Sequence, residues 1–333
     1  MGRSRKSSEF GIISRFFAPL AEGEPGAFGL TDDAALIPAG PGRLVITTDA
    51  IVAGIHFPEA TAADLIAAKM LGVNLSDMAA MGATPEVYTL SLALSEDVDD
   101  DWLELFSSSL AAEQEIYRIT LIGGDTVATT GPLTFAVSMV GRVEEGRELR
   151  RSGARPGDII YVSGAIGDAA LGLKVINGEL PWLADGFGED LADRYYRPQP
   201  RVELGRRLAG LAHAAIDVSD GLAADLRHVC AASGVAATLA AHKVPLSPAG
   251  RAAVEHAPEL ISSVLGGGDD YELLFTAPPE AADALARLSR DLNLPLTAVG
   301  SIAGMTGETH GVTIIDKNGD EIKLTADGYL HFA

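Results

Sequence analysis

The 333-residue chain carries 46 acidic against 25 basic residues, a formal charge of −21, and is 47% hydrophobic. That length suits two domains better than one core. The acidity argues against a nucleic-acid partner, whose phosphates would be repelled without a basic stripe. No run reaches the roughly 18 uninterrupted apolar residues that a membrane span needs. Cys230 is the single cysteine, which excludes an internal disulfide framework and is compatible with a reducing compartment. The basic start "MGRSRKSSEF" leads into no apolar segment, so no secretory signal is expected and the expected location is cytoplasmic.

Residues 8–20 read as a short helix with Phe10, Ile13, Phe16 and Phe17 on one side, and "AEGEPGAFG" as a loop. "RLVITTDAIV" is β-branched and reads as a strand. Thr61, followed three residues later by Asp64, gives a capping-box-like start to a long helix ending near Gly82 and Pro85. Within it Asn74 and Asp77 are three apart and share a face. Strand "EVYTLSLAL", a helix with the acidic first turn "DDDWLELF", and strands "ITLIGGDT" and "LTFAVSMVGRV" complete the first half. The polar, turn-rich "EEGRELRRSGARPGD" marks a boundary, with domains expected over 1–148 and 149–333. The second half restarts with strand "DIIYVSG" and helix "GDAALGLKVI", and residues 178–199 read as irregular. A helix over 200–213, strand "AAIDVS", helix "DGLAADLRHVCAAS" and further units follow, ending at "GVTIIDKNGDEIKL" and "TADGYLHFA". Alternating strands and helices in both halves predict two α/β domains with mixed sheets.

Aspartates recur where strands run out into glycine-bearing turns: Asp32 and Asp33, Asp49, Asp77, Asp125, Asp217 and Asp220, Asp269 and Asp270. One such residue is ordinary turn chemistry, but six clusters point to hard-cation ligands, with carboxylates aimed out of the sheet. Mg²⁺ takes oxygen donors and is usually shared between carboxylates and phosphates. A phosphorylated ligand lying among these carboxylates requires such a cation, because like charges ~4 Å apart repel by about 1 kcal/mol in water and severalfold more in a drier site.

Other chemistries are disfavoured. The chain has no Gly-Lys pair and therefore no P-loop of the G-x-x-x-x-G-K-[ST] type. It lacks an HRD-type kinase loop and the His/Cys spacing of structural zinc. "IDVSDG" reads as a strand end delivering Asp217, Ser219 and Asp220 to one site. "LIGGDT" and "GGGDDYELLF" are glycine turns that permit close backbone approach. His56 in "AGIHFP" reads by itself as a packed loop residue, Arg151 as either a linker charge or a phosphate contact, and Cys230 as mid-helix packing.

The ordered series "GLTDDAALIP", "TTDAIVAGIHF", "GVNLSDMAAMGA", "LIGGDT", "RSGARPGD", "AIDVSDGL", "GGGDDYELLF" and "GYLHF" resembles the thiamine-monophosphate kinase family. That family belongs to the superfamily that includes aminoimidazole ribonucleotide synthetase. The resemblance covers about residues 9 to 332 and implies the two-domain fold of that superfamily. The N-terminal domain would bind ATP and Mg²⁺ and pair its sheet across a homodimer, and the C-terminal domain would complete the site. It implies ATP-dependent phosphorylation of thiamine monophosphate to thiamine diphosphate by direct in-line transfer, with several Mg²⁺ ions and no covalent nucleophile. Carried over by motif, Asp33, Thr47, Thr48, Asp49, Asp77, Asp125, Asp217 and Asp220 would be metal ligands, directly or through water. Tyr117, Gly124, Asp125, Arg151 and Ser219 would contact ATP, and His56, Asp269 and Tyr329 would contact thiamine monophosphate. Two positions depart from the family pattern: Thr31 stands where a glycine is frequent, and Asp269 where glutamate is frequent. The alternatives are another ATP-dependent enzyme of the superfamily, or a non-catalytic protein binding a divalent cation or a phosphometabolite.

Overall fold

A computed structural model describes residues 9–32, 34–305, 311–324 and Gly328. The chain divides into two compact units, one of Met1–Met78 with Thr84–Glu145 and the other of Ala79–Ala83 with Gly146–Ala333. Each is a mixed α/β unit, the fold class expected from the sequence.

The first unit opens with α1 (Glu9–Ile12), a π turn over Ile13–Phe17 and a 3₁₀ turn over Ala18–Ala21, rather than one regular helix. Phe16 and Phe17 are buried, as their spacing predicts. Pro25–Leu30, expected to be a loop, winds as a 3₁₀ segment with Phe28 and Gly29 in the left-handed region. The regular elements are β1 (Arg43–Val52), α2 (Ala63–Ala80), β2 (Thr84–Leu94), α3 (Asp100–Tyr117), β3 (Thr120–Ala128) and β4 (Thr134–Val143). The sheet order is β1-β4-β2-β3, with β4 antiparallel to both neighbours and β2 parallel to β3.

Helix α2 is buried almost all round, from Ala63 to Ala80, and even Lys69, Asn74 and Ser76 are enclosed. A helix of that kind forms because its whole surface is covered, not because it has one apolar stripe. Thr61 donates its hydroxyl to the Pro58 carbonyl at 2.6 Å, and the Leu65 and Ile66 N–H groups donate to the Ala62 carbonyl, which opens the first turn. Asp99 caps α3 by accepting from Trp102 N at 2.9 Å. Phe106 of α3 stacks on Phe135 of β4 with centroids 5.4 Å apart, seating the helix on one face of the sheet.

The second unit contains β5 (Ile159–Ser163), α4 (Asp168–Ile176), α5 (Asp185–Tyr196), α6 (Val202–Leu208), β6 (Ala214–Asp217) and α7 (Leu222–Ser233). These are followed by β7 (Ala236–Ala240), α8 (Pro248–His256), α9 (Ile261–Gly266), β8 (Leu273–Ala277), α10 (Ala282–Leu292), β9 (Leu296–Ala303) and β10 (Val312–Ile315). The six-stranded sheet runs β10-β7-β9-β5-β8-β6, antiparallel except for β10 with β7. Alternate residues feed two cores. Ile160, Val162, Ile216 and Leu274 join the residues of α4, α5 and α7, whereas Tyr161, Ala215, Leu273 and Phe275 join those of α6 and α10.

The segment 178–199 is not irregular: it contains α5, with Leu191 and Tyr195 buried. The glycines and charges of "DGFGEDLADRYY" hide this helix in the sequence. It forms against α4, where Gly172 lets the two backbones approach so closely that a Cβ would stand 2.1 Å from the Leu191 carbonyl oxygen. Cys230 is enclosed in α7, and burial pushes its thiol up to about 11. That is a packing residue, as its setting predicts.

Candidate functional site

In the first unit, the pleat of β1 points Thr47, Asp49 and Ile51 toward the helix-covered face, in register with the buried Met139, Val137 and Phe135. The Thr47 hydroxyl donates to Asp77 on α2. Asp49 N–H donates to Asn74 Oδ1 at 3.1 Å, and Asn74 Nδ2 donates to the Met70 carbonyl at 3.0 Å. The shared face of Asn74 and Asp77 therefore ties α2 to β1 and leaves carboxylate and hydroxyl oxygens gathered in one place. Thr48 and Asp125 lie elsewhere. Thr48 alternates to the opposite face, where its hydroxyl donates to the Val137 carbonyl at 2.9 Å. Asp125 pairs with Ser91, and Ser91 with Ala136, on that same opposite face. The predicted ligands of this unit are thus split across its sheet.

Gly124 has a reason that is not a ligand: a Cβ there would sit 2.0 Å from the Leu90 carbonyl oxygen on the neighbouring strand. His56 is built into a turn, its Nδ1 accepting from Val52 N at 3.1 Å. Tyr117 is the half-buried last residue of α3. Asp33 lies outside the described residues.

In the second unit, β6 ends at the buried Asp217 and passes into the loop Val218–Gly221. This loop is laced to residues 269–272. Val218 N donates to the Glu272 carbonyl, Tyr271 N to the Val218 carbonyl and Asp269 N to the Ser219 carbonyl, each at 2.8 Å. The approach needs Gly268, whose Cβ would lie 2.1 Å from Ser219 O. From the other side, Asp225 Oδ2 accepts from the backbone N–H of Ser219, Asp220 and Gly221, each at 3.1 Å. Burial, then the charges of Asp217 and Asp220, push the Asp225 carboxyl up to about 7. Ligand atoms of Asp220, Asp225 and His228 all lie within 4.8 Å of one another.

Asp269 and Tyr271 both adopt left-handed backbone, φ 70° and 50°, and the Tyr271 hydroxyl donates to Asp269 Oδ1 at 3.1 Å. Asp270 does not join them. It is buried, accepts from Gly167 N at 2.7 Å and Ala169 N at 3.3 Å, and so closes the first turn of α4. The expectation that these aspartates all aim outward fails at Asp270. Arg151 is exposed, and Ser233 fixes its backbone by donating to the Arg151 carbonyl at 3.3 Å while accepting from Gly153 N and Ala154 N. Tyr329 and the "GYLHF" tail, apart from Gly328, lie outside the described residues.

Sequence reasoning missed Asp225 and the buried Glu272, which accepts from Ser163, Arg194 and Arg201. A carboxylate one turn into a helix that follows a polar loop is the signal that would have found Asp225, since it can reach back to the first N–H groups. Glu272 offered no such local signal.

Residues 31–143 match the AIR synthase related protein, N-terminal domain, and residues 155–313 the C-terminal domain of the same description. Thiamine-monophosphate kinase of Escherichia coli K12 is 44% identical over 330 residues, 98% of each chain. The crystal structure of thiamine-monophosphate kinase from Stenotrophomonas maltophilia superposes with a TM-score of 0.83 at 43% identity, over 95% of this chain and 98% of that one. AaThiL complexed with AMPPCP and TMP superposes at 0.77 with 30% identity, over 100% of this chain and 99% of that one. The chain therefore belongs to the thiamine-monophosphate kinase family, among the AIR synthase related proteins, and is a kinase.

Proposed function

We propose that this chain transfers the γ-phosphoryl group of ATP to thiamine monophosphate, forming thiamine diphosphate, by direct in-line displacement assisted by Mg²⁺. The observation that carries the reading is near-full-length similarity to a kinase complexed with AMPPCP and TMP, together with two gatherings of oxygen donors on the expected motifs. The donor set suits Mg²⁺: it consists of carboxylate and hydroxyl oxygens, and the Asp225 carboxyl, raised by burial and then by the charges of Asp217 and Asp220, sits in a crowding of negative charge that a cation would relieve. Several Mg²⁺ ions are assigned, with Asp33, Thr47, Thr48, Asp49, Asp77 and Asp125 as ligands in the first unit, Asp217 and Asp220 as ligands in the second, and ATP as co-substrate. When bound, Mg²⁺ supplies charge neutralisation between the two sets of phosphates.

The chain's residues then orient and hold. Tyr117, Gly124, Asp125, Arg151 and Ser219 are assigned to the nucleotide, and His56, Asp269 and Tyr329 to thiamine monophosphate. The attacking phosphate oxygen is already anionic near neutral pH, so no general base is needed and positioning dominates. No covalent nucleophile is assigned, and the buried Cys230 thiol is unsuited to the task. The proposed division of labour is nucleotide, metal and dimer contacts in residues 1–148 and completion of the site by 149–333. Pairing of two copies is supported by the uncovered face of the first sheet, where Leu44 and Ile46 are 51% and 69% exposed. Light scattering tests it, and a strict monomer would remove it.

Incubation of the protein with ATP, Mg²⁺ and thiamine monophosphate should yield thiamine diphosphate. Tight Mg²⁺ binding without nucleotide and no product would favour the cation-binding alternative. The proposed place of action is the cytoplasm; among the described residues no helix is long and apolar enough to cross a membrane.

A further inference from the structure

We infer that Asp225 is a positioning residue that converts the start of α7 from an anion-binding turn into a cation-presenting one. Three successive backbone N–H groups converging on one point, in the loop that leads into a helix, are a ready-made cradle for a phosphate. Here that cradle is filled from within. Ser219, Asp220 and Gly221 all donate to the single oxygen Oδ2 of Asp225, each at 3.1 Å, and Asp225 is only 2% exposed. A ligand phosphate cannot take the same three donors while that carboxylate holds them.

The loop has no room to swing away. Asp269 N clasps the Ser219 carbonyl at 2.8 Å, and a Cβ at Gly221 would lie 2.7 Å from the Gly266 carbonyl oxygen. With its N–H groups engaged inward, the loop has the Ser219 hydroxyl and the Asp220 carboxylate to offer outward, beside Asp217 at the strand end. Such a set attracts a cation and repels a bare phosphate. The inference rests on the proposed function in one respect, that Asp217 and Asp220 serve Mg²⁺. Nucleotide phosphates would then meet this loop through the cation and the Ser219 hydroxyl, not through the backbone.

Amide hydrogen exchange of the unliganded wild-type protein is the first test. The amides of Ser219, Asp220 and Gly221 should already be protected, and should change little when Mg²⁺ and a non-hydrolysable ATP analogue are added. Free exchange without ligand, followed by protection only when the nucleotide binds, would overturn the inference. This arm needs no variant, so it decides the matter even if Asp225→Asn does not fold. In a folded Asp225→Asn protein, one carboxylate oxygen is replaced by an amide donor. Protection of the three amides should weaken, because the one remaining acceptor oxygen carries no charge, and Mg²⁺-dependent binding of the analogue, read by titration calorimetry, should weaken by about 10-fold or more. A purely structural role would lower the melting temperature but leave that affinity unchanged. Failure of the kinase reading is seen separately, as absence of thiamine diphosphate from the wild-type reaction.

Discussion

Arg201 grips Glu272 with its guanidinium fork: Nε donates to Oε2 at 2.7 Å and Nη2 to Oε1, and Glu272 is wholly buried. Arg194 donates to Oε1 at 3.0 Å and Ser163 Oγ to Oε2 at 2.6 Å, while Ser163 Oγ also accepts from Leu273 N at 2.9 Å. One carboxylate thus joins β5, α5, the segment before α6 and the start of β8. Glu272→Gln keeps the shape but removes the buried negative charge that two largely enclosed guanidinium groups share. Breaking a buried pair in this way costs on the order of 3–5 kcal/mol. The midpoint of urea unfolding should fall accordingly, and an unshifted midpoint would show that the cluster contributes little.

Asp49 and Asp220 lead to a different expectation. Asp49 is fixed through its backbone N–H by Asn74, and Asp220 through its N–H by Asp225. Both anchors run through the backbone N–H, so Asp49→Asn or Asp220→Asn leaves them in place. Turnover should drop by about 100-fold or more, the scale seen when a ligand shell or a charge-stabilising group is removed. The melting temperature should move by only a few degrees. Matching losses of activity and stability would make these positions structural.

Elements with strong local composition signals, such as the β-branched β1 and the long apolar α2 that stops near Gly82 and Pro85, are legible in the sequence, and so is the Asn74–Asp77 face, because three-residue spacing on a helix is a local fact. The ends of β6 and its loop are legible for the same reason. What was not legible depends on distant partners. Helix α5 owes its existence to the packing of Leu191 and Tyr195 and the close approach at Gly172, none of which a window of "DGFGEDLADRYY" contains. Asp270 reads like its neighbour Asp269 until Gly167 and Ala169 arrive from 103 and 101 residues away. The split of Thr47 from Thr48, and of Asp49 from Asp125, across one sheet follows from pairing register, which motif order does not reveal.

Tyr271 bears on substrate affinity if Asp269 contacts thiamine monophosphate. Its hydroxyl donates to Asp269 Oδ1 at 3.1 Å, and both residues hold left-handed backbone that non-glycine residues rarely adopt. Tyr271→Phe removes the hydroxyl and leaves the ring and the backbone. A hydrogen bond to a charged group contributes about 1.5–3 kcal/mol, so KM for thiamine monophosphate should rise by roughly 10-fold while KM for ATP stays fixed. Equal rises in both would instead place Tyr271 in the general architecture of the loop.

Asp270 and Asp168 set a pH dependence of folding. Burial raises both carboxyls, Asp270 well above the usual carboxylate range and Asp168 also above it, despite backbone donors at the first and the Ser247 hydroxyl at the second. With folded pKa values above the unfolded ones, the native state binds more protons. Their contribution to stability is therefore complete below about pH 4 and is lost as pH rises through the raised values, with a slope of at most about 1.4 kcal/mol per pH unit for each proton. Asp270→Asn removes one such titration, but it offers a single acceptor oxygen to the Gly167 and Ala169 N–H groups. The variant should be less stable than wild type at pH 4. The gap should narrow as pH increases, because the wild-type protein then loses stability that the variant no longer has to lose. Unfolding curves at matched pH values measure the gap directly; a gap independent of pH would mean that Asp270 carries its charge in the folded protein as readily as in the unfolded chain.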